Sequence, residues 1–248
     1  MTSTHVRTPD TAALLAYRAS DGALAVLGPQ TRASYLWPGD PDDCVGVRLR
    51  PGDGRAVLGV PVNELVDQVV RLEDLWGGEA AILAESLACA WAADDGEGVP
   101  AGPAAAGGLL RAAMDRRLTL RTPEEVTRAG TVRRAANLLT RHGQGVGEAA
   151  RELGLSERHL RNLFVEGTGL PPKRFTRVHR VRSVLASANP WADLAAETGY
   201  YDQSHLAADF RDVMGVPPGR FRAGRLPEPR ACEYSRSLAL VGVPAGGS

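Results

Sequence analysis

Between Val146 and Phe164 the chain reads VGEAARELGLSERHLRNLF, and its apolar positions fall at helical spacing twice in succession. Ala149, Ala150 and Leu153 form one stripe. Gly154 is the residue type that ends a helix in the left-handed conformation, and Leu155 fills the corner behind it. Ser156 is a good N-cap for a second helix whose buried face is Leu160, Leu163 and Phe164. The opposite face displays Glu157, Arg158, Arg161 and Asn162, with His159 at its edge. Two short helices joined by a tight turn, the second bearing polar side chains on its exposed face, make a helix-turn-helix suited to base edges.

The pattern then recurs. WADLAAETG (Trp191–Gly199) matches VGEAARELG, Asp202 stands where Ser156 stood, and Leu206 and Phe210 repeat the four-residue spacing of Leu160 and Phe164. GVPPGRF (Gly215–Phe221) echoes GLPPKRF (Gly169–Phe175), after which a long helix runs to about Ala188 and is stopped by Asn189-Pro190. The chain therefore carries a duplicated helix-turn-helix. The helical residues between the two units span roughly 26 Å at about 1.5 Å per residue. With the bulk of each unit added, two recognition helices reach successive major grooves about 34 Å apart.

Ahead of this pair the periodicity changes. ALAVLGP (Ala23–Pro29), ASYLWPG (Ala33–Gly39) and CVGVRLRPG (Cys44–Gly52) read as short strands closed by Gly or Pro, and RAVLGV (Arg55–Val60) is expected to continue the set. From Pro61 a helical pattern with Leu65, Val66 and Val69 on one face leads into VVRLEDLWG (Val69–Gly77). Glu79–Ala93 is expected as a helix with Ile82, Leu83, Leu87 and Trp91 on its apolar face. Asp94–Gly108 reads as a Gly/Pro/Ala-rich connection and Leu109–Leu118 as a short helix. Thr122-Pro123-Glu124-Glu125 has the form of a capping box opening a helix to about His142, with Gly130 as its weak point. The expected fold class is α+β: a small antiparallel β domain with helices, followed by an all-α double helix-turn-helix domain. Residues 1–121 form the first domain, 122–224 the second with units at 146–166 and 191–211, and 225–248 a loosely ordered tail in which SLALVGV (Ser237–Val243) could add a strand.

Charge sharpens this division. The formal net charge is zero, yet residues 1–130 hold 12 Arg against 18 Asp and Glu, whereas residues 131–224 hold 14 Arg and Lys against 9 Asp and Glu. Only the second half suits a polyanion. No apolar run approaches the roughly 18 residues that span a bilayer, and MTSTHVRTPD has no signal-peptide character, so a cytoplasmic, nucleoid-associated protein with no membrane partner is expected. Cys44, Cys89 and Cys232 stand alone, which argues against a disulfide framework; Cys44 and Cys89 are expected to be buried, inert thiols rather than redox sensors. His5 is the only histidine in residues 1–130, so a metal-dependent cupin site lacks its ligands there, and no metal or cofactor is expected. GxGxxG, GxxxxGK[ST], HExxH and GxSxG are all absent, and no enzyme is expected.

The matching positions resemble the AraC/XylS family of transcription regulators over roughly residues 131–223. Ala150, Leu153, Gly154, Ser156, Leu160, Phe164, Gly169, Pro172 and Arg180 carry the likeness in the first unit and linker. Leu194, Ala195, Gly199, Tyr200, Ser204, Leu206, Phe210, Gly215, Pro218, Phe221 and Arg222 carry it in the second. The run from Val60 to Gly77 also resembles an uncharacterised N-terminal domain attached to such regulators in actinobacteria. The resemblance implies a bacterial transcription factor on double-stranded promoter DNA, with base contacts from Arg158, Arg161 and Asn162 and from Gln203, Ser204 and Ala208. Arg suits guanine and Asn suits adenine, whereas Ala207, Ala208 and Asp209 make the second helix the poorer reader. His159 and His205 are further candidates for DNA contact or helix packing, and Lys173 and Arg174 for phosphate.

The first domain offers a candidate effector pocket. Tyr35 and Trp37 share one strand face, Arg48 and Arg50 another, although a plain core with outer ion pairs explains the same residues. A small-molecule effector, a second copy of the chain, or RNA polymerase for an activator are the other partners considered. Two rival readings stay open: an enzyme or repair protein delivered by the helix-turn-helix, and an N-terminal domain that serves only as a protein-interaction platform.

Overall fold

A computed structural model describes residues 4–36, 44–92, 102–140, 144–187, 200 and 202–230. The N-terminal part is built on two antiparallel sheets. Strand β1 (His5–Arg7) pairs with β4 (Ser34–Leu36), and a four-stranded sheet runs in the order β5 (Cys44–Arg48), β2 (Leu14–Arg18), β3 (Ala23–Leu27), β6 (Val69–Arg71). β2 lies at the centre, with Leu15 opposite Val26 of β3 and Val47 of β5. Every residue of β3 is buried and β2 is nearly so, because both faces of the sheet are covered. One face packs Leu15, Tyr17, Leu24 and Val26 against helices α3 (Gly78–Ala92) and α4 (Gly102–Leu118), which contribute Leu83, Leu87 and Leu110. The other gathers Ala16, Ala25 and Leu27 with Leu36 of β4.

Several expectations for this half are corrected. RAVLGV forms helix α1 (Gly54–Leu58), not a strand. Its backbone bonds run along the chain rather than across a sheet: the Val57 N–H donates to Asp53 O at 3.1 Å and the Gly59 N–H to Arg55 O at 2.8 Å. The helix expected from Pro61 is only a 3-10 turn (Val62–Leu65), and Val69–Arg71 is strand β6, held by pairing with Ala25–Leu27 before the short helix α2 (Glu73–Trp76). In α3 the buried positions are Ala80, Leu83 and Leu87, and Ile82 is 68% exposed. α4 starts at Gly102 rather than Leu109. Cys44 and Cys89 are exposed, not buried.

The remaining described elements are helical. Helix α5 (Pro123–Thr140) opens with the expected reciprocal cap: the Glu125 backbone N–H donates to Thr122 Oγ1 at 3.2 Å, and the Thr122 N–H donates to Glu125 Oε2 at 2.9 Å. Gly130 lies inside it without interrupting it. Next come α6 (Val146–Glu152), α7 (Glu157–Thr168), α8 (Pro172–Ala186), α9 (Gln203–Met214) and α10 (Pro218–Arg222). Leu139, Leu160, Phe164 and Phe175 centre one core, and Val178, Val181, Tyr200, Leu206 and Phe210 centre a second. α8 contributes to both, which joins the two units through one helix. The architecture is the expected α+β arrangement. Trp37, the segment Trp191–Gly199, Cys232 and Ser237–Val243 lie outside the described residues. No helix among the described residues is long and apolar enough to cross a membrane.

Candidate nucleic-acid interface

The first recognition helix is fixed by its ends and its core. Gly154 takes φ +67°, a conformation that costs an L-residue with a Cβ, and the Leu155 N–H then donates to Ala150 O at 2.9 Å to close the turn. Ser156 Oγ accepts from the His159 N–H at 3.2 Å and starts α7. Leu160 and Phe164 are fully buried, and the Phe164 ring meets Phe175 edge-on at 5.0 Å. Helical geometry therefore turns Arg158, Arg161 and Asn162 outward, and all three are exposed, as is His159. Arg158 makes no ion pair among the described residues, while Arg161 reaches Glu157 Oε2 at 2.5 Å across one turn. Both partners of that pair are about half exposed, so it is a weak tether that a stronger acceptor displaces.

The second recognition helix repeats the frame. An Asp202 carboxylate oxygen accepts from the His205 N–H at 2.7 Å, Leu206 and Phe210 are buried, and Phe210 meets Phe221 edge-on at 5.5 Å. α7 and α9 each end on a left-handed glycine, Gly169 and Gly215. Gln203, Ser204 and Ala208 are exposed. His205 is exposed too, but its ring stands edge-on to Tyr200 at 5.2 Å and its Nε2 lies 3.8 Å from Asp209.

One residue counted on that face faces inward instead. Asp209 is buried, with Oδ1 2.8 Å from Arg177 Nε, and Asp212 one turn later accepts from Arg177 at 2.8 Å and from Arg174. These acids bind α9 to the linker helix α8. Burial raises the Asp212 pKa, but the hydrogen bonds and charges of Arg177 and Arg174 outweigh it and hold the carboxyl below its ordinary range. Burial, with the Asp209 charge beside it, pushes the Tyr200 phenol well above its usual range. Sequence reasoning missed this clamp, although Arg174, Arg177 and Arg180 recur at intervals of three and so share one face of a helix.

Of the two phosphate candidates, Lys173 is exposed and lines a cleft of about 380 Å³ between the two units, together with Arg180, His205 and Gly145 at the start of α6. Arg174 points elsewhere, binding Asp212 and the Thr31 carbonyl. Among the described effector candidates, Tyr35 is separated from Arg48 and Arg50. Tyr35 is buried on β4 with its hydroxyl donating to Met214 O at 2.5 Å, and that burial lifts its pKa to about 12. Arg48, on the other sheet, pairs with Asp10 at 2.5 Å and lines, with Arg50, Val62, Gly167 and Thr168, a separate cleft of about 280 Å³.

A family model described as a helix-turn-helix domain matches residues 149–224, from within α6 to just beyond α10. Residues 149–224 are a helix-turn-helix domain. No curated protein matches the chain. Among solved structures, the chain is similar to the C-terminal domain of AraT, a response regulator from Geobacillus stearothermophilus. That likeness has 22% identity and a TM-score of 0.35, over 40% of this chain and 88% of that one. The chain is also similar to ToxT from Vibrio cholerae O395, with 12% identity, 90% of each chain covered and a TM-score of 0.41. Unsaturated fatty acid bound ToxT from Vibrio cholerae strain SCE256 gives 10% identity, 89% and 90% coverage and a TM-score of 0.41.

Proposed function

We propose that the protein is a sequence-specific transcription regulator that reads promoter DNA in two successive major grooves. The observation that carries this reading is the exposed face of α7. Arg158, Arg161 and Asn162 are exposed on the second helix of the first helix-turn-helix unit, whereas Leu160 and Phe164 of the same helix are buried. Arg161 and Arg158 supply bidentate donors for guanine and Asn162 a donor–acceptor pair for adenine. Gln203 and Ser204 at the start of α9 make the contacts of the second groove. Lys173 and the first turn of α6 meet phosphate between them, with His159 and His205 beside the reading faces. Arg174 has its guanidinium committed to Asp212 and Thr31 and contributes by holding α9 in place. Residues 122–224 are the reading domain, 1–121 control its binding, and 225–248 are a tail whose first residues run back to β4, where the Arg230 N–H donates to Tyr35 O at 2.9 Å.

The test is genome-wide mapping of sites bound by the full chain, followed by footprinting on the enriched sites. Two protected patches one helical turn apart (about 10–10.5 bp) are expected, with affinity that falls steeply as salt rises. Absence of enriched sites would remove the DNA-reading function, and a single protected patch would remove the two-groove geometry.

A further inference from the structure

The last carbonyls of a helix have no partner within it, and what satisfies them is a matter of tertiary structure. In α7 and α9 the duplicated frame makes Gly167 and Val213 equivalent, each two residues before the C-cap glycine. Both carbonyls accept a backbone N–H from the N-terminal part of the chain: Gly52 N–H to Gly167 O at 2.9 Å, and Ala33 N–H to Val213 O at 2.8 Å. The next carbonyl of α9, Met214 O, takes the Tyr35 hydroxyl at 2.5 Å. We infer that the N-terminal domain anchors the same end of both recognition helices and thereby sets the separation at which the protein reads its two half-sites. Tyr35 and Gly52 are the positioning residues.

The surrounding contacts agree with an anchored seam. At the α7 end, a Cβ on Gly52 would stand 2.7 Å from Ala129 of α5, Gly52 has φ +91°, and Arg55 reaches Glu166 at 3.5 Å. The Val62 carbonyl lies against Gly169, so the 3-10 turn abuts the end of α7. At the α9 end, Val6 and Ala33 pack on the core that holds Phe210 and Met214, Arg174 donates to Thr31 O at 3.2 Å, and Arg182 of α8 meets Asp10 at 2.7 Å. β1 and β4 therefore hold one recognition helix, and the Gly52 turn with α1 and the 3-10 turn holds the other. Two linked reading heads gain affinity only when their spacing fits the site, because the second contact is then intramolecular. Without the seam, one helix, α8, would be the main element to transmit that spacing.

The inference rests on the two-groove reading, and its test separates the two. In full-length protein with Cys44, Cys89 and Cys232 replaced by Ser, spin labels at Arg151→Cys and Arg211→Cys report the distance between the units without DNA. The parent should give one narrow distribution. Tyr35→Phe should broaden it, as should Gly52→Ala, which forces the turn away from α5. On DNA, the parent should discriminate against a site with one or two base pairs inserted between half-sites. Tyr35→Phe should lower affinity for the cognate spacing about three- to tenfold, the size of one lost net hydrogen bond, and narrow that discrimination. Arg71→Ala, remote from the seam, should change neither. A broad parental distribution, an unchanged distribution and spacing preference in Tyr35→Phe, or tighter cognate binding by that variant would each overturn the anchoring role. Broadening in Tyr35→Phe with no specific DNA binding by the parent would keep the anchor and discard the two-groove reading.

Discussion

The two recognition helices share a frame and differ in their faces. α7 and α9 are each 12 residues long, begin on a side-chain cap to the third residue (Ser156 to His159, Asp202 to His205) and end on a left-handed glycine. Each buries a Leu and a Phe four apart, and each Phe meets a second Phe just beyond the following Pro-Pro turn. What fills the other positions diverges. α7 turns Arg158, Arg161 and Asn162 to solvent, whereas α9 offers Gln203, Ser204 and Ala208 and commits Asp209 and Asp212 to arginines of α8. Stability of the unit comes from caps and core and repeats with them. The exposed face, which stability leaves unconstrained, is where the two helices diverge.

That contrast can be broken at three levels. If the frames are equivalent, Phe164→Ala and Phe210→Ala should each cost about 3–5 kcal/mol by denaturant unfolding. A loss below about 1 kcal/mol in one unit alone would show that its core is not a copy of the other. If the faces differ as described, Arg161→Ala should weaken operator binding by about 1–3 kcal/mol and relax selectivity at one base pair, with Gln203→Ala costing less. Greater damage from Gln203→Ala in a binding titration would reverse the assignment of main reader. The smallest effect is electrostatic and belongs to α9. The Asp212 pKa is depressed in the folded protein, so its contribution is present above the unfolded value of about 3.9 and is lost as pH falls through the folded one. Acid should therefore loosen the second unit before the first, by about 0.5–1 kcal/mol for these partly exposed pairs. Asp212→Asn should flatten that pH dependence when limited proteolysis of the two units is followed.

Legibility along the chain followed the reach of the interactions. The α5 cap at Thr122, the Gly154 corner and the Ser156 and Asp202 caps depend on residues within five of one another, and the sequence displays them directly. The local pattern of β6 is helical because Val69–Arg71 becomes a strand only through pairing with Ala25–Leu27, more than forty residues away. β2 shows no alternation in the sequence because it is covered on both faces. Asp209 looked like an exposed, unhelpful acid on a reading helix, since nothing local reveals that Arg177 waits across the interface.

The sequence by itself determined the repeated helical pattern, its caps, its two cores and the side chains that face solvent, because a helix records its buried and exposed faces at intervals of three and four residues. Only the tertiary structure decided where those helices end up. It tied the Gly167 and Val213 carbonyls to Gly52 and Ala33, turned Tyr35 from a candidate ligand contact into an anchor on Met214, and drew Asp209 and Asp212 inward. The physical reason is that main-chain donors and acceptors are the same at every residue. Their long-range pairing leaves no mark in the order of side chains.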